Sequence, residues 1–435
     1  QKLLGKDVFF LTGTDDHGIK IARKAEEAGK SPQEFSDEIS QKFRELTKAL
    51  NLSNKDKEEA FIRTSDKKRH WPNVFDVWDK LLKQGDIYKK SYKGFYCVGC
   101  EAFLKEKDLV DGKCPVHLKE PELVEEENYF FKLSKYVQDV KEKIESDELN
   151  IVPKGRKNEI LSFIEQGVED ISISRSKEKL SWGIPVPNDD SQIIYIWFEA
   201  LINYLYPKNY WPADVHCIGK DIFRFHSLVW PAMLLAYGEE LPKNILVHGF
   251  ITNNGQKMSK SLGNVVDPFE LVEKYGVDAI RYFLLREILS TEDGDFSIEK
   301  FENRYNADLA NGIGNLVARV LALAVKFKIQ NSKVKNINQN LKLKIDEVNV
   351  GYNKALEDFK FNEALFLVWE LISFCDRTMN QEKPWEEGKE DVIGDLLYAI
   401  SDISKMLEPF LPETSERITK QLKKLKPESL FPRLY

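Results

Sequence analysis

Between residues 193 and 248, short apolar runs alternate with helix-like stretches, in "IIYIWFEALINYLY", "ADVHCIGKDIFRFHSLVWPAMLLAYG" and "KNILVHGF". Such alternation predicts strands of a parallel sheet with helices packed on it. The chain opens in the same texture. "DVFFLTGTDDHG" (7–18) is an apolar run of β-type residues that stops in a Thr/Gly/Asp cluster, and "IKIARKAEEAG" after it reads as a helix closed by glycine. A long charged helical region is expected to follow, to about residue 85. From about residue 300 the strand signal disappears and amphipathic helices run to the end, with no internal repeat or low-complexity linker between the parts.

With 435 residues, 42% apolar and 31% charged, the chain can build two or three domains with substantial cores. It holds no run of eighteen or more apolar residues, and its first residues do not form a leader pattern, so a soluble, cytoplasmic protein without a membrane partner is expected. A net charge of -7 means that any nucleic acid must be met through local patches and specific contacts. Five cysteines, three of them clustered with a histidine, argue against a disulfide framework and fit a reducing compartment. In that cluster Cys97-x2-Cys100 is followed, after thirteen residues, by Cys114-x2-His117. Three thiolates and one imidazole complete a tetrahedral zinc site with no open position, which makes one structural Zn²⁺ the expectation. The other reading is four unrelated residues on a loop.

A second loop stands out. "GQKMSKSLGN" (255–264) follows the strand-like "ILVHGFITNN" and carries two lysines, but it lacks the Gly-Lys-Ser/Thr ending of a Walker A loop. Lysines at a strand end facing the ligand crevice of a parallel sheet can follow a polyphosphate as charge builds on it. On charge pattern alone, a solvated surface loop explains them equally.

Lys257-Met258-Ser259-Lys260-Ser261 resembles the KMSKS signature of class I aminoacyl-tRNA synthetases, and the whole chain is similar to their methionyl branch. The resemblance rests on "FLTGTDDHG", the Cys/Cys/Cys/His cluster, "SISR" before "WGIPVP", "YIWFEALINYL", "IGKDI", "FHSLVWPAML", "HGFITNNGQKMSKSLGN" and "NADLANGIGNLVAR", in that order. It implies an α/β fold with a doubly wound, Rossmann-type parallel sheet, a zinc-knuckle insertion and an all-α C-terminal helix bundle. The expected spans are a catalytic domain at 1–85 and 193–248, split by a connective insertion at 86–192, then a KMSKS and stem-contact domain at 249–304 and an anticodon-binding domain at 305–435. It further implies ATP-dependent activation of methionine and its transfer to tRNA(Met).

The resemblance also assigns roles. Asp15 would pair with the methionine ammonium, and Trp197, Tyr204, Phe225 and His226 would surround the thioether, whose polarizable sulfur suits aromatic edges. Taken without the family, the aspartate reads as a turn residue and the aromatics as core. Gly219, Asp221, His248 and Gly249 would meet ATP, which brings Mg²⁺ held through phosphates and water. Lys260, supported by Lys257, would be the catalytic contact to pyrophosphate. Asn315 and Arg319 would read the anticodon and Trp385 would stack on one of its bases. Asn311, Asn315 and Arg319 lie four apart and are expected on one helix face, with Leu309, Leu316 and Val320 toward a core. The alternatives are a solvated polar face for Asn315 and Arg319, and a core anchor beside Pro384 for Trp385.

Two departures from the family pattern qualify these roles. Class I synthetases carry a His-x-Gly-His element upstream of "FLTGTD", and none of the six histidines here has that spacing. A sequence truncated at its N-terminus is the expectation, with a non-catalytic tRNA-binding relative as the alternative. Glu199 stands where many relatives have aspartate. The chain ends soon after the helical region, so no appended module is expected and a monomer is anticipated.

Overall fold

The computed structural model describes all residues except 53–56, 100, 101, 105, 107, 108, 117, 259–262, 330–336 and 435, and all their side chains except those of residues 92, 102, 103 and 126. Two compact units divide the chain, Gln1–Val247 and His248–Tyr435.

In the first unit, β1 (Thr12–Thr14) is followed by α1 (Ile19–Glu27), α2 (Pro32–Ala49) and β2 (Phe61–Arg63). β1 and β2 pair in parallel, Thr12 opposite Phe61 and Thr14 opposite Arg63. Gly13 makes this pairing possible, because a Cβ there would stand 1.9 Å from the Ile62 carbonyl oxygen. α2 starts sharply: Ser31 accepts from the Glu34 amide in a reciprocal capping box, with Pro32 in the first turn. α3 (Trp71–Lys83) then leads to an antiparallel sheet of β3 (Ile87–Cys97), β4 (Ala102–Leu104), β5 (Glu122–Phe131) and β7 (Ile171–Ser172), in the order β4-β3-β5-β7.

Between β5 and β7 the chain makes α4 (Leu133–Glu145), β6 (Asn150–Val152) and α5 (Lys154–Glu165). β8 (Ser174–Ser176), β9 (Pro185–Val186) and β10 (Asp189–Ile194) form a small antiparallel sheet that delivers the chain into α6 (Ile196–Leu201). β11 (Val215–Gly219), α7 (Trp230–Tyr237) and β12 (Asn244–His248) complete the alternation. β12 lies between β11 and β6 and runs parallel to β6. The core under these strands centres on Trp78, Phe131, Phe198 and Trp230, each at most 1% exposed. Trp78 meets Phe198 edge-on at 5.8 Å.

Three sequence expectations change. The apolar run at 7–11 is not a strand; the ladder falls on Thr12–Thr14 instead, because its extent is set by the three-residue partner Phe61–Arg63. The region to residue 85 is not continuously helical, since β2 interrupts it at the β-favouring Phe-Ile pair. β6, inside the stretch read as insertion, pairs with β12, so that α4, β6 and α5 attach to the parallel layer.

The second unit begins with a hairpin of β13 (Ile251–Asn253) and β14 (Gln256–Lys257). Its turn residues Asn254 and Gly255 have φ of 51° and 74°, the left-handed pair that a two-residue hairpin demands. α8 (Pro268–Tyr275) and α9 (Val277–Arg286) precede β15 (Gly294–Phe296), which pairs in parallel with β13. A single helical run then spans Ile298–Lys326, comprising α10 (Ile298–Arg304), a π segment (Tyr305–Gly314) and α11 (Asn315–Lys326). By length and composition this run could cross a membrane, but half of its most apolar window is buried against the other helices, as in a core helix. α12 (Gln339–Glu357), α13 (Phe361–Glu382), α14 (Glu390–Leu407) and α15 (Pro412–Lys424) complete the bundle.

Candidate active site

The chain leaves β1 through Asp15, which is exposed, and then Asp16 and His17, both buried. The segment is tied down at every residue. The Thr64 hydroxyl lies 3.3 Å from an Asp15 oxygen and accepts the Asp16 amide at 2.8 Å. Arg63 Nε and Ser65 Oγ donate to the Asp16 carboxylate at 2.7 and 2.5 Å, and Trp182 Nε1 donates to the Asp16 carbonyl at 2.6 Å. A hollow of about 300 Å³ opens beside the segment, lined by Thr14, Asp15, Asp16, Ser36, Ile39 and Phe43. Its volume lies at the lower end of small-ligand sites.

A cluster of aromatic rings lies on α6 and the turns after it. Trp197 stacks on Phe225 with centroids 4.4 Å apart and planes 7° apart. The Tyr204 hydroxyl sits 2.8 Å from His226 Nε2, while His226 Nδ1 sits 2.9 Å from the Ile222 carbonyl. A carbonyl only accepts, so Nδ1 carries the proton, Nε2 is the acceptor and Tyr204 donates. Burial lowers His226 to about 4, so the ring is neutral at neutral pH. Burial, then the nearby Asp15 charge, pushes the Tyr204 phenol up. That electrostatic coupling links Asp15 to the aromatic cluster. The arrangement offers one fixed carboxylate and an uncharged aromatic wall, which is suited to a zwitterion with an apolar side chain.

The other expected ligand residues occupy strand ends. Gly219 closes β11 and precedes a tight 3₁₀ turn, Lys220–Ile222, on which Asp221 is exposed. In the second unit His248 is exposed at the end of β12, its Nδ1 2.9 Å from the Gly249 carbonyl, which leaves Nε2 as an acceptor. Gly249 is required by its own packing, since a Cβ there would stand 2.2 Å from the Glu292 carbonyl carbon. Lys257 is exposed on β14, and Lys260 lies outside the described residues. The flanks of that loop are tied: Asn253 donates to the Asn264 carbonyl at 2.8 Å, and Asn264 to the Lys257 carbonyl at 3.2 Å. Asp295 holds the hairpin by accepting from the Gly255 amide at 2.6 Å, Lys300 at 2.9 Å and Thr252 at 2.8 Å, and these bonds lower its carboxyl to about 2.

Of the four expected zinc ligands, Cys97 ends β3 and Cys114 lies on a turn whose amide and carbonyl bond Lys119 and Leu118. Both thiols are buried, at 3% and 0% exposure, and neither is in a disulfide. Cys100 and His117 lie outside the described residues. No group of three metal-ligating side chains occurs among the described residues.

Within the helical bundle Asn315 and Arg319 share a face of α11, half-buried, while Leu309, Leu316 and Val320 are fully buried. Arg319 lies 3.6 Å from Asp376 and 3.4 Å from Asn380. Asn311 belongs instead to the π segment, where a four-residue step is less than one turn. Trp385 is 42% exposed and Pro384 buried, which places the proline in the core and the indole at the surface. Sequence reasoning left several partners unassigned, among them His70, Thr64, Trp182 and His216. The ring of His216 lies 4.4 Å from that of Tyr204. None of these has a motif of its own, and only "DDH" hinted at His17.

Comparison with known proteins gives a consistent picture. Residues 1–121 and 106–321 match the family of tRNA synthetases class I (M), and residues 338–433 the anticodon-binding domain of tRNA ligase. The methionine--tRNA ligase of Thermotoga maritima is 41% identical over 97% of this chain and 70% of its own length. That of a Nostoc species is 42% identical, over 97% and 84%. A crystal structure of Mycobacterium tuberculosis methionyl-tRNA synthetase bound by methionyl-adenylate superimposes with a TM-score of 0.87 at 34% identity, covering 100% of this chain and 92% of that one.

Proposed function

The chain belongs to the class I tRNA synthetases of the methionine kind, a Rossmann-type core followed by an all-helical domain, and from that premise we propose how its residues divide the work of methionine--tRNA ligation. In the first step the methionine carboxylate attacks the α-phosphate of ATP, forming methionyl-adenylate and releasing pyrophosphate. In the second, the terminal ribose hydroxyl of tRNA takes the acyl group and AMP leaves. No covalent enzyme intermediate is needed, so the protein contributes position and charge.

The observation that carries the assignment is the pairing of Asp15, which lines the hollow beside β1, with the aromatic cluster whose buried tyrosine feels its charge. Asp15 takes the methionine ammonium as a charge-assisted partner. Trp197, Phe225, Tyr204 and the neutral His226 take the thioether. Gly219 and Asp221 meet the ribose. His248, with Nε2 left as an acceptor, suits the adenine amino group, and Gly249 acts through the backbone turn that it permits. Lys257 and Lys260 neutralise the charge that develops as pyrophosphate departs, with Mg²⁺ entering on the ATP phosphates. Asn315, Arg319 and the exposed Trp385 read the unpaired anticodon bases of tRNA(Met).

A structural zinc is part of this reading. Two buried thiols free of disulfide bonding suit thiolate ligation, and Cys97, Cys100, Cys114 and His117 would hold the ion, which would supply folding energy to a segment with little core. We also place the protein in the cytoplasm as a monomer. A non-catalytic tRNA-binding role is not favoured, since relatives aligned over 97% of the chain are ligases by name. The test is methionine-dependent exchange of pyrophosphate into ATP, followed by charging of tRNA(Met). A folded, zinc-loaded protein that supports neither, even when joined to an N-terminal segment carrying the His-x-Gly-His element, would overturn the assignment.

A further inference from the structure

We propose that Glu199 is a positioning residue for methionine: its carboxylate fixes α6 to the Asp15–His17 segment and thereby sets the distance between the ammonium anchor and the thioether wall. The proposal rests on the assignment of Asp15 and Trp197 to the methionine site.

Glu199 is fully buried on α6, two residues beyond Trp197. One of its oxygens lies 2.7 Å from His17 Nδ1 and the other 2.7 Å from His70 Nε2. His17 is two residues beyond Asp15. His70 stands at the N-terminus of α3, 0% exposed, and its Nδ1 has no hydrogen-bond partner among the described residues. The only useful place for the His70 proton is therefore Nε2, which makes that ring a donor to Glu199. Both carboxylate oxygens thus accept from imidazole N–H groups. Burial works to raise the Glu199 carboxyl, but His17 and the two hydrogen bonds outweigh it and hold the group below its usual range. An ionised carboxylate in the core is costly to leave half-satisfied, so the three elements that it joins are held to one geometry.

The geometry matters because an amino acid is recognised at two points. The ammonium end meets a segment that Thr64, Arg63, Ser65 and Trp182 already hold rigid. The thioether end meets rings carried by α6 and the turns after it. Glu199, fully buried, bridges the two supports through His17 and His70. A slackened bridge changes the fit to methionine and leaves the ribose and phosphate contacts untouched. A core residue of purely structural importance would disturb all of these together.

The experiment compares the full chain carrying Glu199→Gln, Glu199→Asp or His70→Phe with the wild type. Dissociation constants for methionine and for ATP both come from equilibrium dialysis with the labelled ligand. Glu199→Gln keeps the volume but turns an amide donor toward one of the two N–H groups, so methionine binding should weaken about tenfold or more, the size expected for losing a hydrogen bond to a charged group, with the ATP constant within about twofold. Glu199→Asp, which keeps the charge, should recover part of the loss, and His70→Phe should fall between. Equal changes in the methionine and ATP constants, or none in either, in a variant that melts cooperatively would overturn the role of Glu199. Should Glu199→Gln fail to fold, the other two variants are judged by the same split. Absence of methionine binding by the wild-type chain would instead overturn the methionine assignment itself.

Discussion

Acidification should unfold residues 1–247 in a window set by two rings. His216 and His226 are 6% and 1% exposed, and burial lowers them to about 3 and about 4 from an ordinary 6.5. Between those limits the unfolded chain binds a proton at each ring that the folded chain refuses. Stability therefore rises with pH through the window and is lost as pH falls below 6.5, levelling off only beneath the folded values. Each ring costs about 1.4 kcal/mol per pH unit, so the pair removes roughly 5 kcal/mol by pH 4.5. That is comparable with the whole stability of many domains, about 5 to 15 kcal/mol. Carboxylates such as Asp189, held near 2, add little between pH 6.5 and 4.5, because their ordinary value of 3.8 lies below that range. The assay is urea unfolding at pH 7.5, 6.5, 5.5 and 4.5, followed by tryptophan fluorescence. Six of the eight tryptophans (71, 78, 182, 197, 211 and 230) lie in this unit, so the signal reports mainly on it. The midpoint should fall steadily below pH 6.5. In His216→Gln, whose amide can still accept the Trp230 indole N–H that His216 meets at 3.3 Å, the slope should be about halved. A midpoint flat from pH 6.5 to 4.5, or an unchanged slope in the variant, would refute the reasoning.

Four further outcomes are expected. In a version joined to a segment carrying the His-x-Gly-His element, Lys260→Ala should slow adenylate formation by about 10²- to 10³-fold while methionine binding stays within about twofold, as measured by exchange and dialysis. Trp385→Ala should weaken tRNA binding by about 1 to 3 kcal/mol and spare adenylate formation; a loss of both would mark the indole as structural. Removing zinc with a chelator should expose the segment around residues 97–122 to proteolysis while leaving the helical unit intact, and metal analysis should find one zinc per chain beforehand. Gly13→Ala, with its Cβ 1.9 Å from the Ile62 oxygen, should lower stability by about 1 to 3 kcal/mol or more in thermal unfolding.

The alternation at 193–248 and the helical tail were legible because each run carries its own period, and the helix closed by Gly29 because capping is local. The position of β1 was not, because a three-residue ladder takes its limits from Phe61–Arg63, some fifty residues away. β6 was missed for the same reason: nothing in "NIV" announces Asn244–Leu246 as its partner. At the site, Asp15 and the aromatic residues were found through motif resemblance. Their supports were not, because Thr64 and Trp182 reach the segment across 48 and 166 residues of sequence and His70 reaches Glu199 across 129, each through a single side chain with no spacing rule. Glu199 drew notice only as an odd residue at a known position, and its two histidine partners became visible once α3 and α6 were brought together.

The π segment at 305–314 has a consequence for how this chain tolerates insertion and deletion. Each residue of an α-helix advances the next by about 100°. The wider winding of Tyr305–Gly314 sets the angular phase at which α11 begins, and with it the direction in which Asn315 and Arg319 point. Loss of one residue in this stretch would leave Asn315 and Arg319 in the sequence, yet turn the edge of α11 that carries them by about a quarter revolution. The ten residues thus act as a dial, and their count carries information that no single one of their side chains does.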